Sequence, residues 1–525
     1  MSFSRPGASD ATRTRNRTPN SVSPFSGLCS ACLDSCVGYC EVAQSAIRGR
    51  ETLYPQPFGR ITAASEKDYP VDFSHFNING TAAGAYGIAA DSDEATFPAV
   101  KVETEIGAGK KIKLRAPFVF AAQGSTNIAR SNWDGYGTGA ALAGVMVVVG
   151  ENVCGMDPDL EIKNGRVHRS PDLEKRVKAF QDWYDGYGAI AVQANVEDTR
   201  LGVLEYAIEK LGVEVVELKW GQGAKDIGGE VKLPTLERAL QLKERGYIVL
   251  PDPTDPNVQE AFRQGAFTEF ERHSRLGMVD EDSFHARVAQ LRAAGAKYIT
   301  LKTGAYRPVD LARAVKYASD ARLDLLTVDG AGGGTGMSPW RMMNEWGIPT
   351  VYLEALLYNY LERLRARGAF IPDVAMAGGF ALEDQVFKGL ALGAPYVKAI
   401  AMGRAPMTAA MVGSTVSRLV QQGKVPKEWE KYGSTVEQIF IGTLKLKEKL
   451  GADVARVPAS AVAVYTYIDR LVGGLQQFMA GARKFALQYI SRDDLCALTP
   501  EAARVTGIKY IMDLDGEQVD EILGA

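Results

Sequence analysis

Short apolar runs that stop at glycine recur along this chain, and segments of helical period separate most of them. The runs are APFVFAAQG at 116–124, GAIAVQAN at 188–195, VEVVELKWG at 213–221 and AKYITLKTG at 296–304. LDLLTVDG at 323–330, IPDVAMAGG at 371–379 and YVKAIAMG at 396–403 complete the series. Between two of them DLARAVKYASDAR, 310–322, repeats apolar residues three and four apart, as an amphipathic helix does. Strands alternating with helices predict consecutive βα units and a parallel sheet. The expected fold is α/β: a (β/α)8 TIM barrel over 116–412, with glycines where the strands finish. The run AALAGVMVVVG, 140–150, reads as a buried element compatible with a helix. Residues 226–285 are charged and lack strand rhythm, so they read as loop and helices inserted at the barrel's active face. From 413 to 525 the pattern predicts a helical C-terminal region, whose 460–490 stretch has a broad apolar face for packing on the barrel or on another subunit. Residues 25–115, rich in Pro, Gly and aromatics, predict an N-terminal domain of short strands and ordered loops. Residues 1–24, rich in Ser, Thr and Arg, read as a flexible tail.

Composition narrows the function classes. A chain of 525 residues with 46% hydrophobic content and a net charge of −3 matches a soluble multidomain protein. Near-neutral charge argues against nucleic acid as the main partner. No apolar run is long enough to span a membrane, and the first residues lack the apolar core of a secretory signal. The expected compartment is the cytoplasm, where thiols stay reduced.

Four of the six cysteines, Cys29, Cys32, Cys36 and Cys40, fall in a C-x2-C-x3-C-x3-C spacing. In a reducing compartment such density points to metal, because thiolates suit iron–sulfur clusters and zinc. Steps of three and four place all four on one helical face, and a straight helix cannot wrap four sulfurs around one metal. An iron–sulfur cluster, a zinc site and thiols without metal are therefore all open readings. Cys496 reads as a core residue in a helical context. Cys154 follows the 140–150 run in a turn that could face the active site.

The strand ends carry the candidate chemistry. In order they present Gln123, Gly124 and Ser125; then Lys219, Gln222 and Lys225 in ELKWGQGAK; then Lys302 in ITLKTG. Asp329 and the glycine-rich run that includes Gly333 and Gly334 follow, and Gly378, Gly379, Gly403 and Arg404 close the series. Paired glycines one βα unit before Gly403–Arg404 match the common barrel phosphate site, formed after the last two strands. Lys302 alternates with apolar neighbours and is predicted to point into the barrel, where a buried cation needs an anionic or polar partner. Lys225 beside Gln222 suits a carboxylate. The histidines, His75, His168, His273 and His285, show no metal spacing.

Taken together, ELKWGQGAK, ITLKTG, GGGTGMSP and AGGFALEDQVFKGLALGA resemble, in this order, the FMN-binding synthase domain of glutamate synthase in its stand-alone, archaeal-type form. AAQGS and VGENVCGMDPD match more weakly, and the resemblance covers roughly 116–410. It implies FMN and reduction to glutamate of an imine made from 2-oxoglutarate and ammonia. By the same resemblance Gly378, Gly379, Gly403 and Arg404 match the flavin phosphate region, and Gln123, Ser125 and Lys302 the ring-contacting strands. Gly333 and Gly334 fall on the ring and substrate side. Gln222 and Lys225 match the substrate loop, and Glu151 the first acid of a shortened acidic loop. The implied partners are an electron-donor protein (a ferredoxin or an NAD(P)H-oxidising subunit), an ammonia-supplying subunit and further copies of the chain. The chain departs from the family in three ways. The cysteine motif expected after the last phosphate loop is missing, and Cys29–Cys40 would take its place. No glutaminase-type nucleophilic cysteine precedes the barrel, so ammonia is expected to be free or supplied by a partner. Gly332 stands where an acid is expected. These departures open the substrate to N-alkyl glutamate synthesis, to amine or hydroxy-acid oxidation, or to an electron-transfer subunit of a larger complex.

Overall fold

The computed structural model describes residues 69–333, 338–425 and 427–524. Eight parallel strands close a barrel in chain order. They are β1 (Phe118–Gln123), β2 (Met146–Val149), β3 (Ala189–Ala194), β4 (Val215–Lys219), β5 (Tyr298–Thr303), β6 (Leu325–Asp329), β7 (Asp373–Ala377) and β8 (Val397–Met402), with β8 pairing back to β1. A helix follows each strand: α1 (Asn127–Ala143), α2 (Pro171–Gln181), α3 (Val203–Leu211), α4 (Glu281–Ala293), α5 (Pro308–Asp320), α6 (Thr350–Ala366), α7 (Glu383–Leu392) and α8 (Arg404–Gln421). This is the predicted (β/α)8 architecture.

Period-two alternation sorts the strand residues into barrel interior and helix-facing exterior. Val119, Met146, Ala191, Val215, Tyr298, Leu325, Ala375 and Ala399 share one interior cluster. The hairpin Thr104–Ile106/Ile112–Leu114 joins it through Ile106, Ile112 and Leu114. Two residues further along, the same inward parity reaches Gln193, Glu217, Thr300 and Thr327, and two further again Gln123, Lys219, Lys302 and Asp329. The barrel is thus apolar at its N-terminal end and polar where the strands finish.

Three expectations are corrected. The 140–150 run is not a single helical element: α1 ends at Ala143, Gly144 caps it in the left-handed conformation, and Met146–Val149 forms β2. Four β-branched or unbranched apolar residues buried on both faces fit a central parallel strand. The 226–285 segment holds a three-stranded antiparallel sheet of Glu230–Leu233, Ile248–Leu250 and Phe270–His273, besides helices. Its charged residues alternate with Val231, Leu233, Val249 and Phe270, which pack on Leu242 and Tyr247 in a small separate core. Cys496 is buried as expected, but in the strand Leu495–Ala497, which pairs with Phe76–Ile78 near the described N-terminal end.

Beyond the barrel the chain is largely helical, and α9 (Ala459–Gly481) packs on α1 and α8. Glycines permit this close packing. A Cβ on Gly135 would lie 2.4 Å from the Ser460 side chain, one on Gly139 2.6 Å from Val464, and one on Gly413 2.6 Å from Ser460 Cα. α8 itself runs across the predicted 412/413 boundary, so the barrel's last helix continues into the helical region.

Candidate functional site

At the C-terminal end of the strands lies a cavity of about 2140 Å3. Of the predicted site residues, Gln123, Ser125, Glu151, Gln222, Lys225, Lys302, Gly333, Gly378, Gly379, Gly403 and Arg404 all line it. Gly334 and the four clustered cysteines, Cys29, Cys32, Cys36 and Cys40, lie outside the described residues. None of the four histidines is among the lining residues.

On one side the ends of β7 and β8 form a cradle of backbone. Gly378 has φ +127° and Gly379 φ +104°, and a Cβ on Gly378 would come within 2.2 Å of Thr350 Oγ1 and 2.8 Å of Gly330 O. The loop therefore requires glycine both for its backbone and for its close approach. Gly403 caps the 18-residue α8, whose first residues Arg404 and Ala405 line the same cavity. Arg404 opens that helix. Burial pushes its guanidinium below the usual range, the Asp329 carboxylate opposes the shift, and among the described residues it makes no hydrogen bond or ion pair.

At the centre Lys302 is 5% exposed, and its ammonium lies 3.1 Å from Asp329. The sequence left its partner open, and the structure supplies this carboxylate. Burial alone would lower its pKa, but Asp329 and Glu217 outweigh burial and raise it, so Lys302 is a fixed cation. Glu217 is in turn held by Gln193 Nε2 at 2.6 Å and by the Thr300 hydroxyl at 3.2 Å.

The opposite side is built from the loops after β2 and β4 and from the inserted sheet. Gly223 lets the QGAK loop seat on Gly330, since a Cβ there would lie 2.1 Å from Gly330 O. The Ser338 hydroxyl ties the same loop by donating to Ala224 O at 2.9 Å. Glu151 ion-pairs with Lys219. Burial would raise the Glu151 carboxyl, but Lys219 overrides it and brings the pKa down to about 2. Lys225 is 8% exposed, and burial together with the neighbouring Lys219 lowers its pKa to about 8. The inserted sheet adds Arg272, which is 1% exposed and hydrogen-bonds Ser274 while its Nε has no partner among the described residues. Sequence reading missed Arg272 because it sits in a strand that the charged pattern concealed. The available signal was Phe270, an apolar residue two positions before it that shares its face parity.

Cys154 does not line the cavity. It is wholly buried, and burial, reinforced by the Asp198 charge, pushes its thiol up, so it is not an activated nucleophile.

The site can hold an anionic group against glycine backbone and Arg404, place a cation at its centre, and meet a second anion with Lys225 and Arg272. No helix among the described residues is long and apolar enough to cross a membrane.

No curated protein matches the chain. Among solved structures it is similar to a flavocytochrome b2 variant with pyruvate bound, at 14% identity and a TM-score of 0.45, covering 81% of this chain and 76% of that one. A mandelate oxidase variant with a monooxide FMN adduct gives 14% identity and 0.42, covering 80% and 87%. An (S)-mandelate dehydrogenase variant gives 14% and 0.41, covering 81% and 88%. Residues 273–426, which run from the end of the inserted sheet through β5–β8 and α8, match the family described as the conserved region in glutamate synthase, so the second half of this barrel carries that region.

Proposed function

We propose that the chain is an FMN-dependent oxidoreductase of glutamate-synthase type that reduces an imine, formed from a 2-oxo acid such as 2-oxoglutarate and ammonia or an amine, to an amino acid. The observation that carries the reading is the glycine cradle of β7 and β8 with Arg404 beside it, which among the described residues makes no hydrogen bond or ion pair, in a barrel whose second half matches glutamate synthase. A helix N-terminus, bare backbone and a guanidinium make a phosphate site, and a Cβ at Gly378 would push the cradle off Thr350 and Gly330.

In this reading Gly378, Gly379, Gly403 and Arg404 hold the FMN phosphate. Gln123, Ser125, Lys302 and Gly333 surround the ring. When bound, the group supplies a hydride equivalent to the imine carbon. Lys302, kept protonated by Asp329 and Glu217, presents positive charge to an electron-rich ring edge. Lys225 and Arg272 bind the acid's carboxylates, Gln222 orients the imine, and Glu151 holds the Lys219 ammonium at the rim. Lys225, with its pKa lowered to about 8, would return a proton to the developing amine nitrogen.

Reducing equivalents are proposed to come from a donor protein, a ferredoxin or an NAD(P)H-oxidising subunit, and ammonia from solution or a partner. Iron and acid-labile sulfide analysis of anaerobically purified protein tests whether Cys29, Cys32, Cys36 and Cys40 hold a cluster. The reading as a whole is tested by the visible spectrum, followed by anaerobic substrate screening. A flavin spectrum, with the reduced form reoxidised by 2-oxo acid plus amine, supports it. A colourless protein that cannot be loaded with FMN overturns it, and bleaching by a hydroxy acid or an amine alone transfers the activity to oxidation of that substrate.

A further inference from the structure

Asp198 sits one layer behind the cavity, at the start of the helix Val196–Leu201 that follows β3, and it is 1% exposed. By position it is the third residue of a capping box with Asn195, a structural role for which one weak hydrogen bond suffices. Its contacts exceed that role. The Asn195 N–H donates to Oδ2 at 3.4 Å, but the shorter bond, 2.8 Å, comes from the N–H of Asn152 in the loop after β2. Oδ1 is buried and has no hydrogen-bond partner among the described residues. Asn152 is held in the left-handed conformation, φ +65°, directly after Glu151. The other flank of that loop is closed by β1, since a Cβ on Gly124 would lie 2.7 Å from Glu151 O and one on Gly150 2.6 Å from the Gln123 carbonyl carbon. The Glu151–Asn152 turn is thus clamped between β1 and the Asp198 carboxylate.

We propose that Asp198 is a positioning residue that sets the Glu151–Lys219 wall of the site, and that its ionisation weakens binding of an acid substrate in the adjacent cavity. The proposal rests on the acid-substrate reading above. The groups that face Asp198 are Glu151 from the loop after β2, Cys154 from the short helix Val153–Met156, Tyr247 beside the inserted sheet, Arg272 within that sheet, and its chain neighbour Glu197. Cys154 and Tyr247 are pushed up by burial and stay neutral, Glu197 pairs with Arg275, and Glu151 pairs with Lys219. Burial, reinforced by the Glu151 charge and opposed by the two backbone donors, places the Asp198 pKa at about 7. Below that pH Asp198 is neutral, and the positive charge of Arg272 is fully available to a bound anion. Above it a buried negative charge draws on Arg272 and repels the anion. By linkage, a bound dicarboxylate raises the proton affinity of Asp198 by the same factor that ionisation costs in affinity.

The test is calorimetric titration of FMN-loaded full-length protein with 2-oxoglutarate from about pH 5.5 to about pH 8.5, a window that brackets the titration. Affinity is expected to fall about fivefold or more as pH rises through 7. In Asp198→Asn, which keeps the acceptor for Asn152, the transition near pH 7 disappears and affinity holds its low-pH value until Lys225 deprotonates at about pH 8. Asp198→Thr, also neutral and able to accept from a backbone N–H, is the alternative should the first variant not fold. Persistence of the transition near pH 7 in either folded variant overturns the role of Asp198 and leaves the acid-substrate reading standing. Absence of binding at every pH in the flavin-loaded wild type overturns both.

Discussion

Replacing Gly378 by Ala strikes the cradle where geometry leaves least freedom. The backbone there has φ +127°, a region that costs an L-residue about 1–3 kcal/mol. The new methyl would lie 2.2 Å from Thr350 Oγ1, 2.8 Å from Gly330 O and 2.9 Å from Gly330 N. Thr350 cannot simply turn away, because its hydroxyl bridges Gly378 O at 2.7 Å and Ala331 O at 3.0 Å. Losing that bridge leaves the Gly378 carbonyl without the hydroxyl, while Ala331 O keeps the Thr350 N–H at 3.1 Å, at a cost of about 1–3 kcal/mol. The two terms together come to about 2–6 kcal/mol. If the fold absorbs the strain, urea unfolding of the FMN-free protein reports the loss. If the loop moves instead, FMN affinity falls by about thirtyfold or more, at about 1.4 kcal/mol per tenfold. Gly212→Ala is the control: φ is +65° and nothing lies within 4 Å of the added methyl, so only a backbone cost of about 1 kcal/mol applies. Were Gly378→Ala to match Gly212→Ala in both urea stability and FMN affinity, the argument from close approach would fail.

Other sites give independent checks. Glu354 in α6 is fully buried, neither carboxylate oxygen is hydrogen-bonded among the described residues, and burial raises its pKa well above normal despite Arg492. The folded state therefore binds a proton that the unfolded state releases. Stability should fall as pH rises from the unfolded value of about 4.3 towards the folded one, and Glu354→Gln should remove this decline in urea titrations across that range. Affinity for an acid substrate should fall again as pH passes about 8, where Lys225 loses its proton; Lys225→Arg, permanently charged, should abolish that second step in calorimetry. Cys154 should resist alkylation in the native protein and react only after unfolding, read by mass spectrometry. Gly139→Leu should force α1 and α9 apart and lower stability by about 1–3 kcal/mol in thermal or urea unfolding.

Seven of the eight barrel strands were legible because each is an apolar run that ends at glycine or a polar turn. β2 was hidden because only Gly144 and Val145 separate it from the apolar end of α1, so one continuous run concealed a helix end, a left-handed cap and a strand. The inserted sheet was hidden for the opposite reason. Its strands carry Glu230, Lys232, Glu271 and Arg272, and their small core draws on residues spread from Leu233 to Phe270. The cradle glycines were readable because they interrupt strong strand patterns at consecutive units. Asp198 and Arg272 gave no such signal, since their importance lies in contacts between elements distant in sequence, Asp198 with Asn152 and Arg272 with the loops it faces across the cavity.

The central claim is that this cavity holds FMN and reduces an imine. Its most direct test is an anaerobic single turnover of the FMN-loaded protein, reduced beforehand and then mixed with 2-oxoglutarate and ammonia. The account predicts return of the oxidised flavin spectrum with formation of glutamate in equal amount, and no reoxidation with either reactant alone. A protein that takes up no FMN, or a reduced flavin untouched by any pairing of 2-oxo acid and amine, would contradict it.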